Sequence, residues 1–162
     1  MIKLEQSMLV NADQQLCWGF MSDLSRSLAF NRFHIEILTE DNSSFSKGAK
    51  FEITHNFGFG NYNLDVEVMN WKPPGEMTLK ECNPENPDKG FSHTVTFSLL
   101  PKDKQTEIQY RVEGTYGNRV QDVPFKPILK GVMVEELYRI KHAIEASVST
   151  ELLLESGSFR TI

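Results

Sequence analysis

The sequence predicts an α+β fold in which a curved, seven-stranded antiparallel sheet wraps around a long C-terminal helix, with two short helices after the first strand. Two observations predict it. From Phe33 to Tyr116 apolar and polar residues alternate with period two, broken repeatedly by short turn-forming segments. From Phe125 onward the apolar residues change to helical spacing.

The length and composition are those of one ordinary globular domain. The chain has 162 residues, of which 40% are hydrophobic and 24% charged. A chain of this size buries roughly two-thirds of its unfolded surface, so it needs no disulfide or metal to be stable. We expect a single domain over residues 1–148 and a tail or helix extension over residues 149–162.

The charge and cysteine content exclude several classes of partner. A net charge of -5 and a pI near 5.4 argue against binding of nucleic acid, which needs clustered Lys and Arg. No apolar run approaches the roughly 18 residues of a membrane span. Cys17 and Cys82 show neither disulfide spacing nor a neighbouring histidine, so we expect reduced thiols and a cytoplasmic location.

The first third of the chain reads as a strand followed by two helices. The strand is predicted from Ile2 to Val10. Asn11 is a candidate helix cap, with Gln14 placed to reach back to it. Helical spacing then predicts a helix from Asp13 to Met21, and Ser22 or Asp23 can cap a second helix that runs to about Asn31.

The alternating region predicts six strands joined by short turns. Short connections favour a meander of hairpins, because parallel neighbours need crossovers of a dozen or more residues. The predicted strands are Phe33 to Thr39, Ala49 to Asn56, Tyr62 to Trp71, Glu76 to Glu81, Phe91 to Leu100 and Thr106 to Tyr116.

The C-terminal region predicts one long amphipathic helix. Asp122 is a candidate cap, and Pro124 and Pro127 are placed in the first turn, where a missing N–H is tolerated. The apolar stripe of this helix can be buried only against the sheet. It consists of Leu129, Val132, Met133, Leu137, Ile140 and Ile144.

This order of elements, together with several short sequence motifs, resembles the START-like superfamily. That superfamily, also called SRPBCC, includes polyketide cyclases and relatives of the birch-pollen allergen. Cys17 to Arg26 reads CWGFMSDLSR, similar to the family's pattern across its first two helices. Lys47 to Phe51 resembles its Gly-x-x-Phe strand entry, and Trp71 to Met77 its Pro-Pro-Gly turn. The resemblance covers roughly residues 2–148 and implies a helix-grip fold with a deep cavity between sheet and helix.

The candidate ligand-binding residues are those on the faces of the predicted strands and helix that we expect to be buried. Pockets are mostly apolar with a few converging polar groups, so His55, His93 and Tyr110 are the informative members. We interpret them first as hydrogen-bonded groups in or beside a cavity, and second as acids or bases. The full candidate set is Phe51, Ile53, His55, Tyr62, Leu64, Val66, Met77, Leu79, His93, Val95, Phe97, Tyr110, Leu129, Met133 and Leu137.

Other chemistry has weaker support in the sequence. Glu81 and Glu136 are expected at the rim of the cavity, because an unpaired carboxylate is costly to bury. The histidines show no ligand spacing, so we expect no metal, and nothing points to a cofactor. Phe57 and Phe59 stand beside glycines in a turn and are candidates for a lid.

Three functions remain open. The first is binding or transport of a small hydrophobic ligand that is lipid-, quinone- or polyketide-like. The second is an enzyme of the polyketide cyclase or dehydratase type that uses cavity His or Tyr residues as acid and base, which requires these groups to converge within hydrogen-bond reach. The third is a co-chaperone-like interaction module with a filled interior. We expect a monomer or homodimer, with the leucines at 152–154 as a possible contact.

Overall fold

A computed structural model describes residues 1–39, 45–56, 60–85, 91–116 and 119–157, without the side chains of residues 119, 121 and 151–157. The strands are β1 (Ile2–Val10), β2 (His34–Leu38), β3 (Lys50–Asn56), β4 (Asn61–Lys72), β5 (Glu76–Cys82), β6 (Ser92–Lys102) and β7 (Gln105–Thr115). The helices are α1 (Gln14–Met21), α2 (Leu24–Ser27), a 3₁₀ turn (Leu28–Phe30) and α3 (Arg119–Gly157). The predicted lid residues Phe57 and Phe59 lie outside the described residues.

The seven strands form one antiparallel sheet in the order β1-β7-β6-β5-β4-β3-β2. From β2 to β7, neighbours in the sheet are neighbours in the chain, as expected for a meander of hairpins. β1 pairs with β7, so the first and last strands of the chain lie side by side. The predicted fold class is confirmed.

The helix α1 is capped by a different residue from the predicted one. The side chain of Asp13 accepts a hydrogen bond from the backbone N–H of Leu16 at 2.9 Å. Asn11 instead donates its backbone N–H to Glu145 of α3. The prediction of an Asn11 cap was therefore wrong: the chain bends at Asn11 and Ala12, and the cap falls at Asp13, directly before Gln14. The predicted cap Asp23 is confirmed by its bond to the N–H of Arg26.

The helix α3 buries its apolar stripe against the concave face of the sheet. Leu129, Met133, Leu137 and Ile140 are all buried in one core cluster with residues of every strand except β2. Leu137, at 1% exposed, shows the depth of this packing. None of the described helices combines the length and apolar character needed to cross a membrane.

The start of α3 also differs from the prediction. The helix begins at Arg119, so Pro124 and Pro127 lie inside it rather than in its first turn. Asp122 does not cap the helix. Its buried carboxylate accepts hydrogen bonds from the backbone N–H of Tyr116 and the hydroxyl of Thr115, and so ties the end of β7 to the first turn of α3.

Candidate functional site

A small cavity lies between the concave face of the sheet, the 3₁₀ turn and α3. Its volume is about 20 Å³, close to the space that one water molecule needs. The lining combines apolar side chains with an unusual number of polar ones. It consists of Leu28, Asn31, Phe33, His34, His55, Glu81, Phe91, His93, Val95, Tyr110, Val112 and Leu129.

A carboxylate and two imidazoles meet at the sheet side of this cavity. Nε2 of His55 lies 3.1 Å from Oε2 of Glu81, and Nε2 of His93 lies 3.6 Å from the same oxygen. All three side chains are at most 8% exposed. A charge in such a position is tolerated only when it is paired, so the three groups form one electrostatic unit.

Strand register and sheet curvature bring these residues together. His93 is directly paired with Glu81 across β6 and β5, and His34 with His55 across β2 and β3. Directly paired residues project from the same face. The two pairs are separated by β4, roughly 9.5 Å across a flat sheet for β3 to β5. The sheet curls over this distance, so the side chains of His55 and Glu81 meet above β4.

Backbone carbonyls hold two of the imidazoles in place. Nδ1 of His34 donates to the carbonyl of Leu28 at 2.7 Å, and Nδ1 of His93 donates to the carbonyl of Phe91 at 2.8 Å. A carbonyl oxygen can only accept, so in both rings Nδ1 carries the proton. In the neutral imidazole, Nε2 is then the lone-pair acceptor, and in His93 this atom lies 3.6 Å from Oε2 of Glu81.

The pKa values of the cluster are strongly shifted. Burial lowers the pKa of His34 to about 4, against the opposing attraction of Glu81. Burial likewise lowers the pKa of His93. Burial alone would raise the pKa of Glu81, but His93, His55 and His34 together outweigh it and hold that pKa far below its usual range. At neutral pH the cluster therefore contains an ionised carboxylate.

A second polar group lies at the α3 side of the cavity. The side-chain amide of Asn31 donates to Oε2 of Glu136 at 3.0 Å, and the hydroxyl of Tyr110 hydrogen-bonds to the same carboxyl group. Burial raises the pKa of Glu136 to about 8, although both hydrogen bonds act to lower it. Burial, followed by the charges of Glu136 and Glu81, raises the pKa of Tyr110 well above its ordinary value.

The candidate residues predicted from sequence divide into three groups. His55, His93, Val95, Tyr110 and Leu129 line the cavity. Tyr62, the second residue of β4, was predicted to point inward but is 45% exposed. The others are buried core residues: Phe51, Ile53, Leu64, Val66, Met77, Leu79, Phe97, Met133 and Leu137.

The prediction that Glu81 and Glu136 lie at the rim was wrong, since each is 1% exposed. The free energy needed to bury each carboxylate is offset by partners that are remote in the sequence. These partners are His55 and His93 for Glu81, and Asn31 for Glu136. Alternation with Met77 and Leu79 already indicated an inward Glu81. The sequence could not show that its partners would face it.

Sequence reasoning also missed Asn31 and His34. Asn31 ends the 3₁₀ turn and His34 begins β2, so neither belongs to a periodic pattern that would indicate its direction.

The predicted absence of a metal rested on sequence spacing alone. In the folded chain the ligand atoms of His34, His55 and Glu81 all lie within 4.8 Å of one another.

Comparison with known proteins yields structural neighbours alone. No family model matches the chain, and no curated protein matches it in sequence. A conserved protein from Geobacillus kaustophilus matches over 90% of this chain and 97% of its own, with a TM-score of 0.70 and 16% identity. The Zhui aromatase/cyclase from Streptomyces sp. R1128 matches over 91% and 95%, with a TM-score of 0.66 and 11% identity. A norcoclaurine synthase mutant from Thalictrum flavum matches over 88% and 93%, with a TM-score of 0.65 and 14% identity.

The chain therefore has the helix-grip fold that these solved structures share. Since a fold hosts many functions, the chemistry has to be argued from the cavity.

Proposed function

We propose that this protein binds a small, largely apolar molecule that carries a polar oxygen group, with that group directed at the buried polar side chains. The observation that carries the proposal is the convergence of Glu81, His55, His93 and Tyr110 on one cavity in a largely apolar interior. Buried ionisable groups with strongly shifted pKa values concentrate at functional sites.

The walls of the cavity favour a ligand with one polar end. Leu28, Val95, Val112 and Leu129 supply apolar contact, whereas Asn31 and Tyr110 supply hydrogen-bonding groups. Small-molecule sites typically combine an apolar lining with a few placed polar groups. A carbonyl or hydroxyl group on a hydrophobic body would satisfy both kinds of wall.

The size of the cavity sets a condition on binding. With a volume of about 20 Å³ it must expand to admit anything larger than water. The largely filled interior is also what the interaction-module alternative predicts. That alternative, however, gives no reason to bury Glu81 and Glu136, since apolar residues of similar volume would fill the space at lower cost.

An enzymatic role of the cyclase or dehydratase type is the second candidate. One observation favours it: the environments of Glu81 and Glu136 displace their pKa values in opposite directions. Such a division is typical of acid–base pairs. Tyr110 faces the cavity with Glu136 behind it, so Tyr110 is the group placed to exchange a proton with a bound substrate.

A cytoplasmic location and a monomeric or homodimeric state complete the proposal. They are supported by the free thiols of Cys17 and Cys82 and by the polar outer faces of the strands.

The first experiment is native mass spectrometry of the protein purified from its own host, followed by extraction and identification of any bound compound. A stoichiometric apolar compound with an oxygen function is the expected result. Protein that carries nothing, and that binds no member of a panel of aromatic ketones and phenols, would contradict the proposal.

Two variants then locate the binding. Tyr110→Phe removes one hydroxyl from the cavity, and Leu129→Trp fills it. We expect the first to weaken binding of the extracted compound about tenfold, the order of a lost buried hydrogen bond, and the second to abolish binding. Tyr138→Phe, on the exposed face of α3, is the matched control and should leave binding unchanged.

A further inference from the structure

We propose that His34, His55 and Glu81 form a binding site for a divalent transition-metal ion, with an open coordination position towards the cavity. The proposal goes beyond ligand binding, and it can fail while ligand binding holds. It rests on the distances among the three side chains, on the hydrogen bond that holds His34 and on the chemistry of the donors.

The distances approach those of a coordination sphere. The donor atoms of His34, His55 and Glu81 lie within 4.8 Å of one another, and His55 Nε2 and Glu81 Oε2 are 3.1 Å apart. An ion bonded at about 2.0–2.1 Å to a tetrahedral set has neighbouring donors about 3.3 Å apart.

The orientation of His34 is that of a metal ligand. Its Nδ1 donates to the carbonyl of Leu28 at 2.7 Å, which leaves Nε2 as the lone-pair atom of the ring. Metal-bound histidines almost always donate their other ring N–H to a carbonyl or carboxylate, and this bond fixes the ring. The Leu28 carbonyl, in the 3₁₀ turn, would thus orient His34 as a metal ligand.

The surroundings of Glu81 call for a cation. His93 donates its Nδ1 proton to the carbonyl of Phe91, and its Nε2 lies 3.6 Å from Oε2 of Glu81. Among the residues that the structure describes, His55 is the other ionisable group beside that oxygen, with Nε2 at 3.1 Å. A cation held by His34, His55 and Glu81 would pair directly with the charge of this buried carboxylate.

The donor set indicates the class of ion. Two imidazoles and one carboxylate suit borderline ions such as Zn²⁺, Fe²⁺ and Co²⁺ rather than Mg²⁺ or Ca²⁺, which prefer oxygen ligands. Three protein ligands with a free position are the arrangement of catalytic rather than structural zinc sites. The free position would accept an oxygen of a molecule bound in the cavity, which all three side chains line.

The test uses the full chain, stripped of metal by chelation and dialysis. Calorimetric titration with Zn²⁺ measures stoichiometry and affinity, and Co²⁺ absorption reports the coordination geometry. We expect one Zn²⁺ per chain, a rise in melting temperature on saturation, and an intense Co²⁺ spectrum of four-coordinate type.

The variants Glu81→Gln and His34→Gln should each lower Zn²⁺ affinity at least a hundredfold. His142→Gln is the matched control, because His142 lies on the exposed face of α3, and it should bind as the original chain does. Circular dichroism without metal checks the folding of each variant. Should a variant fail to fold, ¹⁵N shifts of the His34 and His55 rings in the unaltered chain decide whether they bind the ion.

Absence of stoichiometric Zn²⁺ and Co²⁺ binding would overturn the proposal, as would equal affinity in Glu81→Gln and His142→Gln. Ligand binding that persists in metal-free protein would leave the proposed function standing without the metal. Conversely, a Tyr110→Phe variant that loses ligand binding but still binds the metal would show that metal binding does not depend on ligand binding.

Discussion

Glu81 and His93 are directly paired across β5 and β6, and their side chains meet 3.6 Å apart in the interior of the protein. Paired positions in an antiparallel sheet project to the same face, so the register alone ensures that the two groups share an environment. A one-residue slip would turn one strand's side chains to the solvent face. The register of β5 and β6 therefore fixes the position of Glu81 relative to His93.

The buried carboxyl of Glu136 should make stability depend on pH. Its pKa is about 8 when folded, against an ordinary 4.5. Between these values the unfolded chain releases a proton that the folded chain keeps, so the contribution of Glu136 to stability falls as pH rises, by up to about 1.4 kcal/mol per pH unit. Glu136→Gln should remove this slope.

Urea unfolding at pH 5, 7 and 9 measures the effect. The advantage of Glu136→Gln over the original chain should grow with pH and be largest at pH 9. Glu135→Gln, one residue earlier and partly exposed, is the control. Parallel pH profiles for Glu136→Gln and the original chain would show that this carboxyl titrates normally.

Two glycines should respond oppositely to alanine. A Cβ at Gly114 would lie 2.5 Å from both the Cβ of His93 and the carbonyl of Ser92, so Gly114→Ala must push β6 and β7 apart. We expect a loss of about 2 kcal/mol or more in free energy of unfolding. Gly131 of α3 has open space around it, and Gly131→Ala should add about 1 kcal/mol through helix propensity.

Thermal and chemical denaturation of both variants checks this pair. His93 is the direct neighbour of Gly114, so Gly114→Ala should also weaken ligand and metal binding, whereas Gly131→Ala should not. If Gly114→Ala and Gly131→Ala had the same free energy of unfolding, the prediction would be wrong, because β6 and β7 would then accommodate the extra Cβ without loss of stability.

The packing of α3 should be the main source of its stability. Leu137 is 1% exposed, and Leu137→Ala should cost about 2–5 kcal/mol through lost burial and the cavity left behind. Val134, on the same helix and 42% exposed, should change by no more than about 0.5 kcal/mol on replacement by Ala. Guanidinium unfolding curves compare the two, and a loss at Val134 that matches the one at Leu137 would place a partner on the outer face of α3.

Asp13 should matter as the cap of α1. Its side chain accepts from the N–H of Leu16 at 2.9 Å, and Asp13→Ala should cost about 1 kcal/mol. Gln15→Ala, exposed on the same helix, is the control and should be nearly neutral. Urea unfolding of both variants tests the assignment, which a negligible loss for Asp13→Ala would refute.

The site could be predicted from the sequence only in part. Alternation along β6 and β7 predicted His93, Val95 and Tyr110 as inward residues, and all three line the cavity. Alternation failed at Tyr62, because the first three residues of β4 are exposed whichever face they lie on. Asn31 and His34 lie where one element ends and the next begins, and no period extends to such positions.

The sequence by itself determined the fold. The period-two pattern, the turn residues and the apolar stripe of α3 are local signals, and each specifies which side of an element must be buried. Together they allow one architecture, with the helix held against the sheet.

The tertiary structure alone decided that Glu81 and Glu136 are buried and that His34, His55 and Glu81 meet. Whether a carboxylate can leave water depends on partners many residues away, and those partners are set by strand register and by the curl of the sheet over β4. Register and curvature are properties of the assembled sheet, because they arise from packing across strands rather than from any one segment.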